Sequence, residues 1–187
     1  RLLQYNNQYS DHLLMRECLA PITVVYLSMC NKLISRRVIE KYQIRAVVGA
    51  NMWEDVELAV RVRYYMQTSF VINKGYYHYD VSNVSSTTHD RLMSRIEGQV
   101  QRVRQIEQFF RNGGEWKQYH HFVSLLKLQA KSDLWGCEKL KWVQTFNEAK
   151  WSLHKFTHIY SKKVLLQYLL MSFLGKFIIP VYRFLKR

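Results

Sequence analysis

The stretch RLMSRIEGQVQRVRQIEQFFRNGG, residues 91–114, sets most of the architecture expected for this chain. Its apolar residues recur every three or four positions, which is the period of one face of an α-helix. The Asn-Gly-Gly run at its end suits a helix terminus, and Thr87 with Asp90 three residues later suits a helix start. The stretch therefore predicts a long helix whose buried stripe is Leu92, Ile96, Val100, Val103, Ile106 and Phe110.

Helical patterns continue on both sides of this stretch. Asn51 and Glu54 have the spacing of a capping box, which places Trp53 and Asp55 in the first turn of a helix. Its buried stripe is predicted at Val56, Ala59, Val60 and Tyr64. The further predicted helices are 35–42, 53–67, 115–131 and 136–159.

Strand signals are fewer. β-branched and aromatic runs predict short strands at 22–27, 69–73 and 75–81. An apolar run at 44–50 closes on Gly49, which marks a turn. We therefore predict an α+β fold that is helix-dominated.

The composition is that of a folded and strongly basic chain. It has 187 residues, of which 48% are hydrophobic and 14% aromatic, with 2 prolines and 7 glycines. This suits one domain, or one domain with an appendage. The net charge of +14 indicates an anionic partner, and phosphate-bearing ligands, nucleic acid and anionic membranes all qualify. Cys18, Cys30 and Cys137 follow no metal or redox spacing and are interpreted as reduced thiols in a cytosolic setting.

Three blocks between residues 27 and 88 resemble one protein family. They are LSMCNKLISRRVIEKYQIR at 27–45, GANMWEDVELAVRVRYY at 49–65 and YYHYDVSNVSSTT at 76–88. Their order and spacing resemble the second half of a family 2 glycosyltransferase of the GT-A type, as in bacterial polysaccharide synthesis. The resemblance implies the C-terminal part of a Rossmann-like α/β fold, with a few strands and a helical C-terminal extension. It also implies transfer of a sugar from a nucleotide-sugar donor to a saccharide or glycolipid acceptor.

The same resemblance assigns roles to Glu54 and Asp55, the only adjacent carboxylates in the chain. Asp55 matches the catalytic base of the family, Glu54 stands beside it in the catalytic motif, and Trp53 is assigned to acceptor binding. The chemistry agrees, because inverting sugar transfer needs one carboxylate to take the proton of the attacking hydroxyl. A helix N-terminus also stabilises a carboxylate. Glu54 then faces its own capping bond or an acceptor hydroxyl, and the alternative for both acids is an ordinary helix start.

A histidine beyond the acidic pair is the candidate metal ligand. By the resemblance, His78 helps to hold a divalent metal, Mn²⁺ or Mg²⁺, that bridges the donor's diphosphate. The other interpretation is a histidine packed among its tyrosine neighbours. Ser82, Ser85 and Ser86 offer hydroxyls either to a diphosphate or to a helix cap, and both interpretations stay open.

The resemblance divides the chain into an acceptor and catalytic-base half, residues 1–112, and a helical extension with a basic amphipathic tail, residues 113–187. The sequence contains no Asp-x-Asp motif, and its first 50 residues lack the βαβ alternation of a nucleotide-binding half. Two interpretations follow: the donor-binding half lies upstream of Arg1 in a longer protein, with the metal shared between the halves, or the chain is a degenerate form of the enzyme. The chain alone is expected to be inactive. With no secretory signal visible, it is interpreted as a cytoplasmic piece of a longer protein.

The C-terminus carries a strongly apolar run, VLLQYLLMSFLGKFIIPVYRFL at 164–185, with basic residues at both ends. Lys176 and Pro180 interrupt the run, so we expect it not to span a membrane. Two interpretations are open. The tail lies peripherally on the anionic inner face of the cell membrane, or it packs on the domain because its polar positions form no single face.

Another class of function also remains open. A non-catalytic basic helical module would dock on an anionic membrane or on nucleic acid, with arginines of the long helix contacting phosphates. No nucleic-acid motif is visible, however, and Asp90, Glu97 and Glu107 lie among those arginines. We therefore expect a solvated face and no nucleic-acid partner. The arginines concerned are Arg91, Arg95, Arg102, Arg104 and Arg111.

Overall fold

The computed structural model describes residues 27–30, 32–50, 52–68, 77, 92–149, 161–163, 165–170 and 172–174. By packing, the chain divides into two compact units, Arg1–Asp90 and Arg91–Arg187. The division expected after residue 112 concerns function rather than packing, and it stays a prediction.

Helices account for most of the described residues. Their bounds are α1 Arg36–Lys41, α2 Glu54–Tyr65, α3 Leu92–Asn112, α4 Trp116–Ala130, α5 Leu134–Cys137 and α6 Lys139–Gln144. Residues 162–163, 165–170 and 172–174 are also helical and are called here the C-terminal helical segment. Among the helices in the described ranges, none combines the length and the apolarity that a bilayer crossing requires.

The predicted α+β fold is wrong for the part of the chain that the structure describes. That part is helix-dominated and contains no strand, so it shows no Rossmann-like α/β fold of the GT-A type. A strand forms only where a neighbouring strand pairs with its backbone, and composition alone does not supply that partner. The strand predictions at 22–27, 69–73 and 75–81 lie outside the described residues, apart from Leu27 and Tyr77, which are not in strands.

In the first unit, α1 and α2 lie against each other. Ser35 occupies the N-cap position of α1 without a side-chain cap hydrogen bond, and Tyr42 just after α1 stacks on Tyr65 with ring centroids 4.0 Å apart. The run 44–50 ends in a turn at Gly49, whose φ of 75° is the left-handed conformation that favours glycine. The inner face of α2 is formed by Val56, Ala59, Val60 and Val62, whereas Tyr64, also predicted for this stripe, is only half-buried.

In the second unit, α3 and α4 pack together across a tight turn. Gly114 has a φ of 74°, which gives the left-handed end that the Asn-Gly-Gly run predicted. Phe110, near the end of α3, stacks on Tyr119 of α4 with ring centroids 4.4 Å apart. The predicted stripe is confirmed at Ile96, Val103, Ile106 and Phe110, which are buried, while Val100 is half-buried.

The single helix predicted at 136–159 is wrong over its described part. The chain breaks at Glu138, with φ −133° and ψ 67°, between α5 and α6. After α6 it turns again at Phe146, whose φ is 47°. Residues 150–159 lie outside the described residues.

A buried lysine explains why α6 ends where it does. The Lys131 ammonium donates hydrogen bonds to the carbonyl oxygens of Trp142 at 3.1 Å, Thr145 at 2.7 Å and Phe146 at 3.3 Å. The last carbonyls of a helix lack amide partners, and a lysine can satisfy them. The same ammonium lies 4.1 Å from the centroid of the Trp142 ring, which adds a cation–π contact.

Candidate active site

The acidic pair lies at the start of α2. Trp53 precedes the helix in a left-handed conformation, with φ 59° and ψ 21°, and its carbonyl oxygen accepts the Glu57 N–H at 3.1 Å. The predicted helix start is therefore wrong, because the capping box made Asn51 the N-cap, whereas the N-cap is Trp53, two residues later, and it makes no side-chain cap hydrogen bond. Glu54 and Asp55 do occupy the first turn, where the helix dipole stabilises negative charge.

The acids of this turn have different surroundings. Glu57 is buried and forms an ion pair with Arg61, one turn further along α2. Asp55 is half-buried, and its Oδ1 accepts the Val56 N–H at 2.8 Å. Glu54 is half-buried as well. Asp55 thus combines a fixed orientation with access from solvent, and a general base needs both.

Trp53 is only 7% exposed, so its indole belongs mainly to the core of the first unit. Its left-handed backbone is unusual for a bulky residue and turns the chain directly into α2. This position anchors the start of the helix that carries Asp55. Acceptor binding by Trp53 stays a prediction.

The loop before α1 brings a cation near Asp55. The Lys32 ammonium donates to the carbonyl oxygens of Ser28 and Cys30, the second at 3.3 Å. Burial lowers the pKa of Lys32 and the charge of Arg63 lowers it further, against opposing effects of Cys30 and Asp55. Lys32 therefore lies within electrostatic reach of one carboxylate, Asp55, and of a second cation, Arg63.

A thiol and a phenol belong to the same cluster. The Cys30 N–H donates to the Ser28 Oγ at 3.1 Å, and Cys30 itself is exposed. Hydrogen bonds from Ser28 and then from Tyr77 lower the pKa of the Cys30 thiol, whereas burial and the charge of Asp55 act in the opposite direction. We call Ser28, Cys30, Lys32, Asp55, Arg63 and Tyr77 the Asp55 cluster.

The predicted metal ligand cannot be placed in this cluster. His78 lies outside the described residues, as do Ser82, Ser85 and Ser86. Within the described ranges, no group of three or more histidine, cysteine, aspartate or glutamate side chains is placed to hold a metal ion. The described residues thus supply no metal site, and metal binding through His78 stays a prediction.

The arginines of α3 do not form one open basic surface. Arg102 is buried, Arg95 pairs with Asp133 at 3.5 Å, and Arg111 pairs with Glu107 at 2.6 Å. Arg104 is exposed and lies 5.9 Å from the centroid of the Phe146 ring. Arg91 lies outside the described residues. Arg102 therefore belongs to the packing of the second unit, and the charges of Arg95 and Arg111 are partly neutralised by neighbouring acids.

The sequence singles out Asp55 as a candidate but does not point to the residues around it. Lys32 lies in the CNKL segment of the first resembling block, and Tyr77 lies beside His78 in the third. Arg63 follows Asp55 by two turns of one helix, so the two share roughly one side of it. The signal that could have indicated these residues is that each of the three resembling blocks contributes a residue to the Asp55 cluster. No family model, curated protein or solved structure matches this chain.

Proposed function

We propose that this chain is the acceptor and catalytic-base part of a family 2 glycosyltransferase, with Asp55 as the base. The observation that carries the proposal is the setting of Asp55. Its carboxylate is half-buried, oriented by the Val56 N–H at 2.8 Å, and within electrostatic reach of Lys32. The resemblance of the three surrounding blocks supports the same assignment.

The reaction uses one proton transfer to Asp55. An acceptor hydroxyl attacks the anomeric carbon of the donor sugar, and its proton passes to a carboxylate oxygen of Asp55. The new bond joins the acceptor oxygen to the anomeric carbon. The bond from that carbon to the diphosphate breaks, and the nucleoside diphosphate leaves with the electron pair. A single displacement of this kind inverts the anomeric configuration.

The cations of the Asp55 cluster suit an anionic donor. Lys32 interacts electrostatically with both Asp55 and Arg63. Positive groups near a leaving diphosphate stabilise the negative charge that develops on it. The donor is a nucleotide sugar and the acceptor a saccharide or glycolipid of a surface polysaccharide, handled in the cytoplasm. A divalent metal would neutralise further charge on the same diphosphate.

Sugar transfer itself is the test of this proposal. The chain contains no Asp-x-Asp motif, so the assay uses it joined to the donor-binding part that this proposal requires. With a panel of nucleotide sugars, we expect nucleoside diphosphate release that depends on a saccharide acceptor, and a product of inverted configuration by NMR. A product of retained configuration, or no acceptor-dependent release with any donor, would contradict the proposal.

The metal assignment makes a separate prediction. Replacing His78 by alanine should raise the Mn²⁺ concentration needed for half-maximal transfer by about tenfold or more, because one ligand is lost. The melting temperature without metal should change little. Tyr79→Phe, beside it in the sequence, provides a control that keeps an aromatic ring. A clear drop in melting temperature with an unchanged Mn²⁺ requirement would identify His78 as a packing residue.

A further inference from the structure

The C-terminal helical segment uses only one of its faces for packing. Leu165, Tyr168 and Ser172 are buried. The Tyr168 ring centroid lies 4.6 Å from that of Trp135 and 5.0 Å from that of Trp142, which ties the segment to the second unit. Burial also raises the pKa of Tyr168, as expected for a phenol in apolar surroundings. For the described part of the tail, this buried face agrees with the interpretation that the tail packs on the domain.

The opposite face is apolar and exposed. Leu166, Leu170 and Leu174 are 58%, 48% and 45% exposed, and we call these three residues the apolar stripe. Because an α-helix turns about 100° per residue, side chains spaced by four residues fall within a sector of about 80°. Phe173, also exposed, lies at the edge of this sector. The segment therefore presents a continuous apolar strip to solvent.

Positive charge accompanies the stripe. Lys162 and Lys163 are exposed at the N-terminal end of the segment, and helical geometry places Lys163 in the sector of the stripe, with Lys162 beside it. From residue 149 to residue 187 the sequence contains eight lysines and arginines and no acidic residue. Apolar side chains beside lysines are the pattern of a helix that lies in a membrane interface.

We propose that the apolar stripe docks the second unit on an anionic lipid surface, with the C-terminal helical segment parallel to the membrane plane. The leucines enter the boundary between headgroups and acyl chains, while Lys162 and Lys163 contact anionic headgroups. A second copy of the chain fits this surface less well. The stripe is only about 12 Å long, too short to bury the area that a stable dimer needs. The proposal goes beyond sugar transfer and does not depend on it.

Vesicle co-sedimentation of the 187-residue chain tests the proposal. The vesicles contain phosphatidylcholine alone or phosphatidylcholine with about 30% phosphatidylglycerol, at about 0.05 M and about 0.5 M salt. We expect binding to the anionic vesicles at low salt, and weaker binding at high salt or without phosphatidylglycerol. Leu166→Gln with Leu170→Gln should lower binding about tenfold or more. The matched control is Leu33→Gln with Val48→Gln, which changes two still more exposed residues of the first unit and should leave binding unaltered.

A second pair of variants separates local charge from net charge. Lys162→Gln with Lys163→Gln should lower binding at low salt about tenfold or more. Lys117→Gln with Lys139→Gln removes the same charge from exposed positions of α4 and α6, and should change binding by about twofold or less. Circular dichroism confirms that each variant keeps its helices.

Three results would overturn the proposal. These are absence of vesicle binding, equal binding by the stripe variant and its control, and a concentration-dependent dimer that the stripe variant abolishes while vesicles have no effect. The last result would assign the stripe to self-association. Because lipid binding is measured without any donor or acceptor, its failure leaves the glycosyltransferase proposal untouched, and loss of sugar transfer leaves this one untouched.

Discussion

Replacing Lys127 by methionine is expected to lower the free energy of unfolding by about 3 kcal/mol, the low end of the range for breaking a buried ion pair. The Lys127 side chain is 4% exposed, and its ammonium lies 2.6 Å from Glu107 Oε2 and 2.7 Å from Glu148 Oε1. Methionine keeps the packing of the stem but leaves Glu107, which is largely buried, with one cation fewer. The loss stays at the low end because Arg111 still pairs with Glu107.

Urea unfolding followed by tryptophan fluorescence measures this change, since four of the five tryptophans lie in the second unit. Lys117→Met, at an exposed position of the same helix, is the matched control and should change the free energy of unfolding by about 0.5 kcal/mol or less. Lys127→Met combined with Glu107→Leu should recover part of the loss, because no unpaired charge remains. Equal effects of Lys127→Met and Lys117→Met would contradict the role given to this ion pair.

Unfolding at acidic pH gives a second test of the ion pairs that Lys127 forms with Glu107 and Glu148. Burial would raise the pKa of Glu107 and of Glu148, but hydrogen bonds and charge from Lys127, with Arg111 at Glu107, outweigh it and hold each pKa below its ordinary value of 4.5. A lowered carboxyl pKa gives stability that is complete above pH 4.5 and is lost as the pH falls below 4.5 through the folded value. Lys127→Met should therefore lose less stability than the wild type on acidification below pH 4.5.

The parts of the fold that depend on local pattern could be predicted from the sequence. The stripe of α3 follows from the spacing of Ile96, Val103 and Ile106, and the turn after it follows from Gly114. In both cases the cause lies within a few residues of the effect. The capping-box pattern placed the start of α2 two residues too early, because a left-handed conformation at a bulky residue such as Trp53 cannot be inferred from the sequence.

The missed features depend on contacts between distant residues. Lys131 stabilises the end of α6 by hydrogen bonds to carbonyl oxygens eleven to fifteen positions away. The spacing of apolar residues in the sequence does not reveal a contact of this kind. The same reason explains the wrong sheet prediction, since a strand requires a partner that only the folded chain can supply.

The candidate site shows the same division. Asp55 stood out because adjacent acids are rare in this basic chain. Its neighbours did not stand out, because Lys32 comes from a loop before α1 and acts on Asp55 only after the unit has folded. Glu57, which looks like a third acid of the same kind, is buried and paired with Arg61. The sequence therefore singles out Asp55 as the candidate base but does not show which cations accompany it.

Assigning the proton acceptor is the most direct test of the proposed function. In the polypeptide that joins this chain to a donor-binding half, Asp55→Asn should lower turnover by about 10²-fold or more, the size expected for loss of a general base. The amide keeps the shape of the side chain and a carbonyl oxygen for the Val56 N–H, so donor affinity should not change. Glu54→Gln, in the same turn and also half-buried, is the matched control and should cost less than about tenfold.

The decisive measurement compares the two variants in one assay, as the single-turnover rate of sugar transfer at saturating donor with the donor dissociation constant measured separately. We expect a transfer rate lowered at least about 10²-fold for Asp55→Asn, with donor binding intact, and a much smaller loss for Glu54→Gln. A rate for Asp55→Asn within a few-fold of the wild type, or an equal loss for Glu54→Gln, would contradict the assignment of Asp55 as the base.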